Sequence, residues 1–74
     1  MSQAPAKIAV IGAGIMGSAI ASRLLEAGQA VTVFDLDRAK VSALAGKGAA
    51  SAASVAAATQ ASDFVILSLN HANI

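Results

Sequence analysis

The glycine-rich stretch Gly12-Ala13-Gly14-Ile15-Met16-Gly17 restricts the fold of this chain more tightly than any other feature. It follows the apolar run Ile8-Ala9-Val10-Ile11 and opens a stretch, Ser18 to Ala27, that reads as helix. The next apolar run, Val31-Thr32-Val33-Phe34, ends in Asp35. A glycine triplet alone is equally a bare helix-start turn. A triplet between a strand and a helix, with an acid at the tip of the next strand, is the dinucleotide-binding fingerprint.

Each position in that pattern has a physical task. Gly12 lets the backbone turn sharply out of the strand, because no Cβ clashes at positive φ. Gly14, without a side chain, lets the main chain approach a pyrophosphate. Gly17 allows the helix to lie close to the sheet. The free N–H groups and partial positive charge of the helix start face the phosphates. Asp35 is placed to accept hydrogen bonds from both hydroxyls of the adenosine ribose. A 2′-phosphate would be repelled by that carboxylate, and Leu36 cannot grip one. Arg38 is the nearby cation visible in the sequence. NAD is therefore expected over NADP. FAD stays open, since flavoproteins use the same glycine pattern. Asp37 reads as the N-cap of the following helix.

Length bounds what these elements can build. At 74 residues the chain is at most one small domain, whereas a whole Rossmann domain needs about six strands. The expected fold class is α/β, an incomplete Rossmann-like doubly wound parallel sheet. Residues 1–6 are expected to be a disordered tail, and 7–74 the first part of a dinucleotide-binding domain whose remainder lies outside these residues. High apolarity with alternating strand and helix suits a parallel sheet buried on both faces. The net charge of +1, with no basic cluster, gives no sign of a nucleic-acid partner. The absence of cysteine excludes disulfides, thiolate zinc sites and a cysteine nucleophile, and is compatible with the reducing cytoplasm expected for this chain. Lys7 followed by the uncharged Ile8 to Ser22 mimics a signal peptide, but three glycines would weaken an apolar helix. The run is also too short to span a bilayer.

Along the chain, Lys7 to Ile11 reads as the first strand. A helix from Gly14 to about Ala27 follows, with Met16, Ile20, Leu24 and Ala27 sharing a face and Gly28 as its stop. Ala30 to Asp35 is the second strand. A second helix after Asp37 turns Val41, Leu44 and Ala45 to the sheet and ends at Gly46. Gly48-Ala49-Ala50 reads as a short third strand. Ser54 caps a brief helix, Val55 to Thr59, for which a low-complexity loop is the rival reading. Asp63 to Leu69 is apolar enough to require a central strand with cover on both faces. Right-handed crossovers put the third strand outside the second and the fourth beyond the first. The Gly12–Gly17 loop, Asp35 and the Leu69-Asn70-His71 loop then converge on the crevice at the strand-order reversal.

Residues Val10 to Ala21, Leu24 to Gly28 and Val33-Phe34-Asp35-Leu36-Asp37 resemble the amino-terminal segment of the β-hydroxyacid dehydrogenases. That family includes the 3-hydroxyisobutyrate and 6-phosphogluconate dehydrogenase relatives. Gly48-Ala49 and Asp63-Phe64-Val65-Ile66 match in order and spacing. The short interval from Asp35 to Asp63 is unlike that of 3-hydroxyacyl-CoA dehydrogenases. Ala13 and Ile20 depart from the family's usual Leu and Met, and Leu69-Asn70 stands where it has Leu-Pro. The resemblance implies that Leu69 and Asn70 pack against the adenosine. With Gly12, Ala13, Gly14, Ile15, Met16, Gly17, Asp35 and Leu36 they form the candidate cofactor site.

The resemblance further implies hydride exchange between NAD and a small 3-hydroxy acid, with a lysine as general acid or base, in a homo-oligomer. That lysine and the substrate motifs lie beyond position 74. Lys7, Lys40 and Lys47 read as solvated charges, and His71 as a polar loop residue. No catalytic or metal-binding residue is expected in this chain, and alone it is expected to be inactive. A nucleotide-binding or regulatory module without turnover is the alternative.

Overall fold

The computed structural model describes residues 6–68. Strand β1 (Lys7–Ile11) leads through the glycine loop into helix α1 (Ile15–Glu26), followed by β2 (Ala30–Phe34) and α2 (Arg38–Ala45). Strand β3 (Ala50–Ser51), helix α3 (Val55–Gln60) and β4 (Phe64–Leu67) complete the described chain. The strands form one parallel sheet in the order β3-β2-β1-β4. This is the α/β, Rossmann-like arrangement expected from the sequence, including the position of β4 beyond β1.

Side-chain alternation along β1 and β2 divides the core into two layers. Val10, Val31 and Val33 pack with Ala21 of α1, Leu44 of α2, Ala13 and Ala49. On the opposite face Ala9 and Ile11 pack on Ala58 of α3, with Phe34 and Ala52 at the margin. Strand β1 is therefore covered on both sides, which is why its run is continuously apolar rather than alternating. The short helices are held by their caps. Asp37 Oδ1 accepts from the Ala39 amide at 3.0 Å, and Ser54 Oγ accepts from the Ala57 amide at 3.0 Å. The second of these supports the helix rather than the loop after Ser54.

Three expectations are corrected. Helix α1 buries Gly17 and Ala21, with Leu24 and Leu25 half-buried against the core. Met16 is 71% exposed, so the stripe through Met16 and Ala27 is not the sheet-facing one. Gly17, the smallest residue of the helix, lies at the contact because a Cβ there would strike the Gly12 carbonyl. On α2, Leu44 is buried and Val41 half-buried, but Ala45 is exposed. Helix α2 does end at Gly46, its C-cap, as expected, and the left-handed reversal follows at Gly48 (φ 112°). The Gly48 and Ala49 amides there close back on the Ala45 and Leu44 carbonyls. Finally, β4 is shorter than expected and is an edge strand among the described residues. Phe64 is 61% and Leu67 68% exposed, because β4 packs mainly on β1 and the described helices leave both of its faces largely uncovered. Ala6, assigned above to the tail, is held to the sheet by the Ala30 amide, which donates to its carbonyl at 3.0 Å. Residues 1–5 of that tail, and Leu69, Asn70 and His71, lie outside the described residues. No helix among the described residues is long and apolar enough to cross a membrane.

Candidate functional site: the crevice at the carboxyl ends of the strands

The three glycines of the loop do three different things. Gly12 turns the chain out of β1 with φ 98°, a left-handed conformation that side chains disfavour. Its amide donates to the Phe34 carbonyl at 2.8 Å, tying the loop to the end of β2. Gly17 faces the Gly12 carbonyl so closely that a Cβ would stand 2.0 Å from its oxygen. Gly14 is the exception. Its φ of −71° is ordinary, and a Cβ there would meet nothing within 4 Å. Nothing among the described residues requires a glycine at this position. The open space beside it is a cradle that a side chain would fill, and it fits a pyrophosphate.

The start of α1 differs from those of α2 and α3. Gly14 is its N-cap and makes no side-chain cap, whereas Asp37 and Ser54 cap the other two. The first-turn amides have no partner within the helix, and they carry the positive end of its dipole. Ile15 is 95% exposed on the same turn. Ala13, by contrast, turns inward. Its methyl is buried in the core, and its carbonyl accepts from Ser18 Oγ at 2.8 Å. Its amide is donated to Asp35 Oδ2 at 2.6 Å.

Asp35 thus meets the loop directly. Its other oxygen, Oδ1, accepts from the Asp37 amide at 2.7 Å. The Ala13 amide first, then the Asp37 amide and the charge of Lys40, hold this carboxyl below its ordinary range, while burial opposes them. Asp35 is therefore ionised at neutral pH and keeps lone pairs free on the crevice side. Leu36 follows it, 91% exposed.

These groups line one crevice of about 790 Å³, together with Ile11, Phe34, Val55, Leu67 and Lys40. It brings together Gly12, Gly14, Asp35 and Leu36 of the sequence-derived residues. Lys40, read above as a solvated charge, is part of its wall, and Arg38 is not among the lining residues. The signal for Lys40 was present in the sequence. Once Asp37 caps α2, Lys40 falls in the first helical turn, level with the end of β2. Val55 enters in the same way, as the residue after the Ser54 cap.

Residues 7–74 match the family model described as the NAD-binding domain of 6-phosphogluconate dehydrogenase. The chain is similar to 3-sulfolactaldehyde reductase of Escherichia coli, 42% identical over 69 residues, covering 93% of this chain and 23% of that protein. It is similar also to NAD-dependent L-serine dehydrogenase of Pseudomonas aeruginosa, 45% identical over 60 residues, covering 81% and 20%. Among solved structures, a variant of the imine reductase from Myxococcus stipitatus in complex with NAD+ superposes with a TM-score of 0.86 at 34% identity, covering 92% of this chain and 24% of that one. A reductive aminase from Aspergillus terreus in complex with NADPH gives 0.80 at 37% identity, covering 88% and 23%. The chain spans less than a quarter of the length of these relatives. With the fingerprint loop, the parallel sheet and the family match in agreement, the chain belongs to the family of the 6-phosphogluconate dehydrogenase NAD-binding domain, within the β-hydroxyacid dehydrogenases.

Proposed function

We propose that this chain is the cofactor-binding part of an NAD-dependent dehydrogenase that exchanges hydride with a small 3-hydroxy acid. The observation that carries the reading is the uncapped start of α1 at Gly14, open to the crevice and adjacent to the ionised Asp35. The first-turn amides at Gly14, Ile15 and Met16 would hold the pyrophosphate. Gly12 and Gly17 shape the turn that presents them. Asp35 would accept the ribose hydroxyls, and Leu36 would cover the adenine side. Leu69 and Asn70 are assigned to the adenosine on the family resemblance alone. When bound, the nicotinamide supplies the hydride donor or acceptor.

NAD is favoured over NADP by charge. A 2′-phosphate would lie against the Asp35 carboxylate, which the Ala13 and Asp37 amides keep ionised. Lys40 acts in the opposite direction and limits the discrimination. The reading of a complete enzyme with a 3-hydroxy acid substrate, cytoplasmic and homo-oligomeric, rests on the family. By itself the 74-residue chain contains no group assigned to proton transfer and is proposed to be inactive. The test is titration of the purified protein with NADH and NADPH, followed by cofactor fluorescence. Tighter NADH binding is expected. Tighter NADPH binding would overturn the cofactor assignment, and binding of neither would overturn the reading as a whole.

A further inference from the structure

Ala13 is pinned at every group it possesses. Its methyl is in the core, its carbonyl accepts from Ser18 Oγ at 2.8 Å, and its amide donates to Asp35 Oδ2 at 2.6 Å. It stands between Gly12 and Gly14, the two residues with the greatest backbone freedom in the loop. Its neighbour Gly12 donates its own amide to the Phe34 carbonyl at 2.8 Å. Two successive loop amides are thus clamped by two successive residues at the end of β2. The second clamp is the shorter and is charge-assisted, the stronger kind of hydrogen bond. The Asp37 amide, on Asp35 Oδ1 at 2.7 Å, fixes the carboxylate that makes it.

We propose that Asp35 is also a positioning residue for the phosphate loop, acting through the Ala13 amide to hold the α1 amides toward the ligand. Asp35 then contributes to binding even when a nucleotide has no ribose hydroxyls for it to accept. This rests on the nucleotide-binding reading above and extends it, because Asp35 was assigned there to the ribose alone. A loop released from Asp35 regains the freedom of its glycines and loses part of that freedom again on binding, at a cost in affinity.

The experiment compares ADP with 2′,3′-dideoxy-ADP on the protein at its natural length, with Asp35→Ala and Asp35→Asn. Both variants remove the same negative charge, so any gain for an anionic ligand is common to them. Only Asn keeps an oxygen that can accept the Ala13 amide. The dissociation constant for dideoxy-ADP is expected to be about tenfold higher in Asp35→Ala than in Asp35→Asn, equivalent to about 1.4 kcal/mol. ADP is expected to weaken in both. Equal dideoxy-ADP affinities in the two variants would overturn the positioning role and leave Asp35 as a reader of the diol only. If Asp35→Ala does not fold, Asp35→Glu carries the comparison. It keeps the charge but displaces the carboxylate by one methylene, and a dideoxy-ADP affinity equal to that of the unsubstituted protein would overturn the proposal. Failure of the unsubstituted protein to bind ADP or NADH would instead overturn the nucleotide reading.

Discussion

Gly14 and Gly17 belong to one motif, yet the structure predicts opposite consequences for the same substitution. In Gly17→Ala the new Cβ would stand 2.0 Å from the Gly12 carbonyl oxygen, 3.1 Å from its carbon and 3.2 Å from Ser68 Cβ. Ordinary carbon contacts begin near about 3.5 Å, so a gap of about 1.5 Å must open. The obstructing atom is backbone, in a turn already fixed by the left-handed Gly12 and its bond to Phe34. It cannot yield, so α1 must move off the sheet. That movement loosens Ala21, Leu24 and Leu25 from the core they pack on. Overpacking costs about 1–3 kcal/mol by itself, and the lost burial brings the total to about 3–5 kcal/mol. Set against a typical stability of about 5–15 kcal/mol, this is a large fraction, and a fall in Tm of at least about 10 °C is expected. In Gly14→Ala the Cβ meets nothing and the backbone needs no change at φ −71°. The only protein-side cost is a poorer N-cap, about 0.5–1 kcal/mol. The methyl would instead occupy the cradle, and NADH affinity is expected to fall about a hundredfold, or about 2.7 kcal/mol. Thermal melts and NADH titrations on both variants decide the matter. A Gly17→Ala protein with unchanged Tm, or a Gly14→Ala protein with unchanged NADH affinity, would refute the division of labour argued for the loop.

Two further predictions concern charge. Lys40→Met is expected to weaken NADPH about fivefold while leaving NADH within about twofold, as loss of one exposed cation worth about 1 kcal/mol would do; an equal change for both cofactors would remove Lys40 from the 2′ side of the ribose. The Asp35 carboxyl is held below its ordinary value of 3.8 in the folded chain by the Ala13 and Asp37 amides, so it stabilises the fold above that value. The contribution is lost as pH falls through the lower, folded-state value. The difference in Tm between the unsubstituted protein and Asp35→Asn should therefore be constant near neutrality and shrink only in strong acid, and a difference that grows on acidification would contradict the hydrogen bonds assigned to Asp35.

The order of elements was legible because its boundaries are chemical. Asp37 and Ser54 cap the helices they precede, Gly28 ends α1 at φ 85°, and the β-branched run Val31-Thr32-Val33 lies between helices. The strand-loop-helix setting of the glycines was legible for the same reason, since a strand and an acid bracket the loop. The buried face of α1 was legible only at Gly17, which the glycine pattern itself sets close to the sheet. Hydropathy weights Met16 and Ile20 above Gly17 and Ala21, but close approach of a helix to a strand selects for absence of side chain, which a hydropathy pattern does not register. The Gly12 carbonyl explains Gly17, and it acts from across a turn. The bond from Ala13 to Asp35 was invisible for a related reason. It joins residues just beyond the ends of β1 and β2, whose proximity follows from the parallel register Ile11 to Phe34, and nothing local in either segment signals it.

Small residues in this chain therefore have two distinct causes that the sequence writes identically. Gly17 is small because protein fills the space, and a Cβ would strike the Gly12 carbonyl. Gly14 is small where the described residues leave the space empty, and a Cβ would strike none of them. Only the second kind points outward to a ligand. An uncapped helix start, an ionised carboxylate and a glycine with no internal reason to be one meet in a single crevice. Each alone is ordinary, and a solvated turn would account for any one of them. Such a turn gives no reason for all three to line one concave surface at the carboxyl ends of parallel strands, whereas a bound nucleotide requires an anion site, a hydroxyl acceptor and room for the backbone to approach at that place.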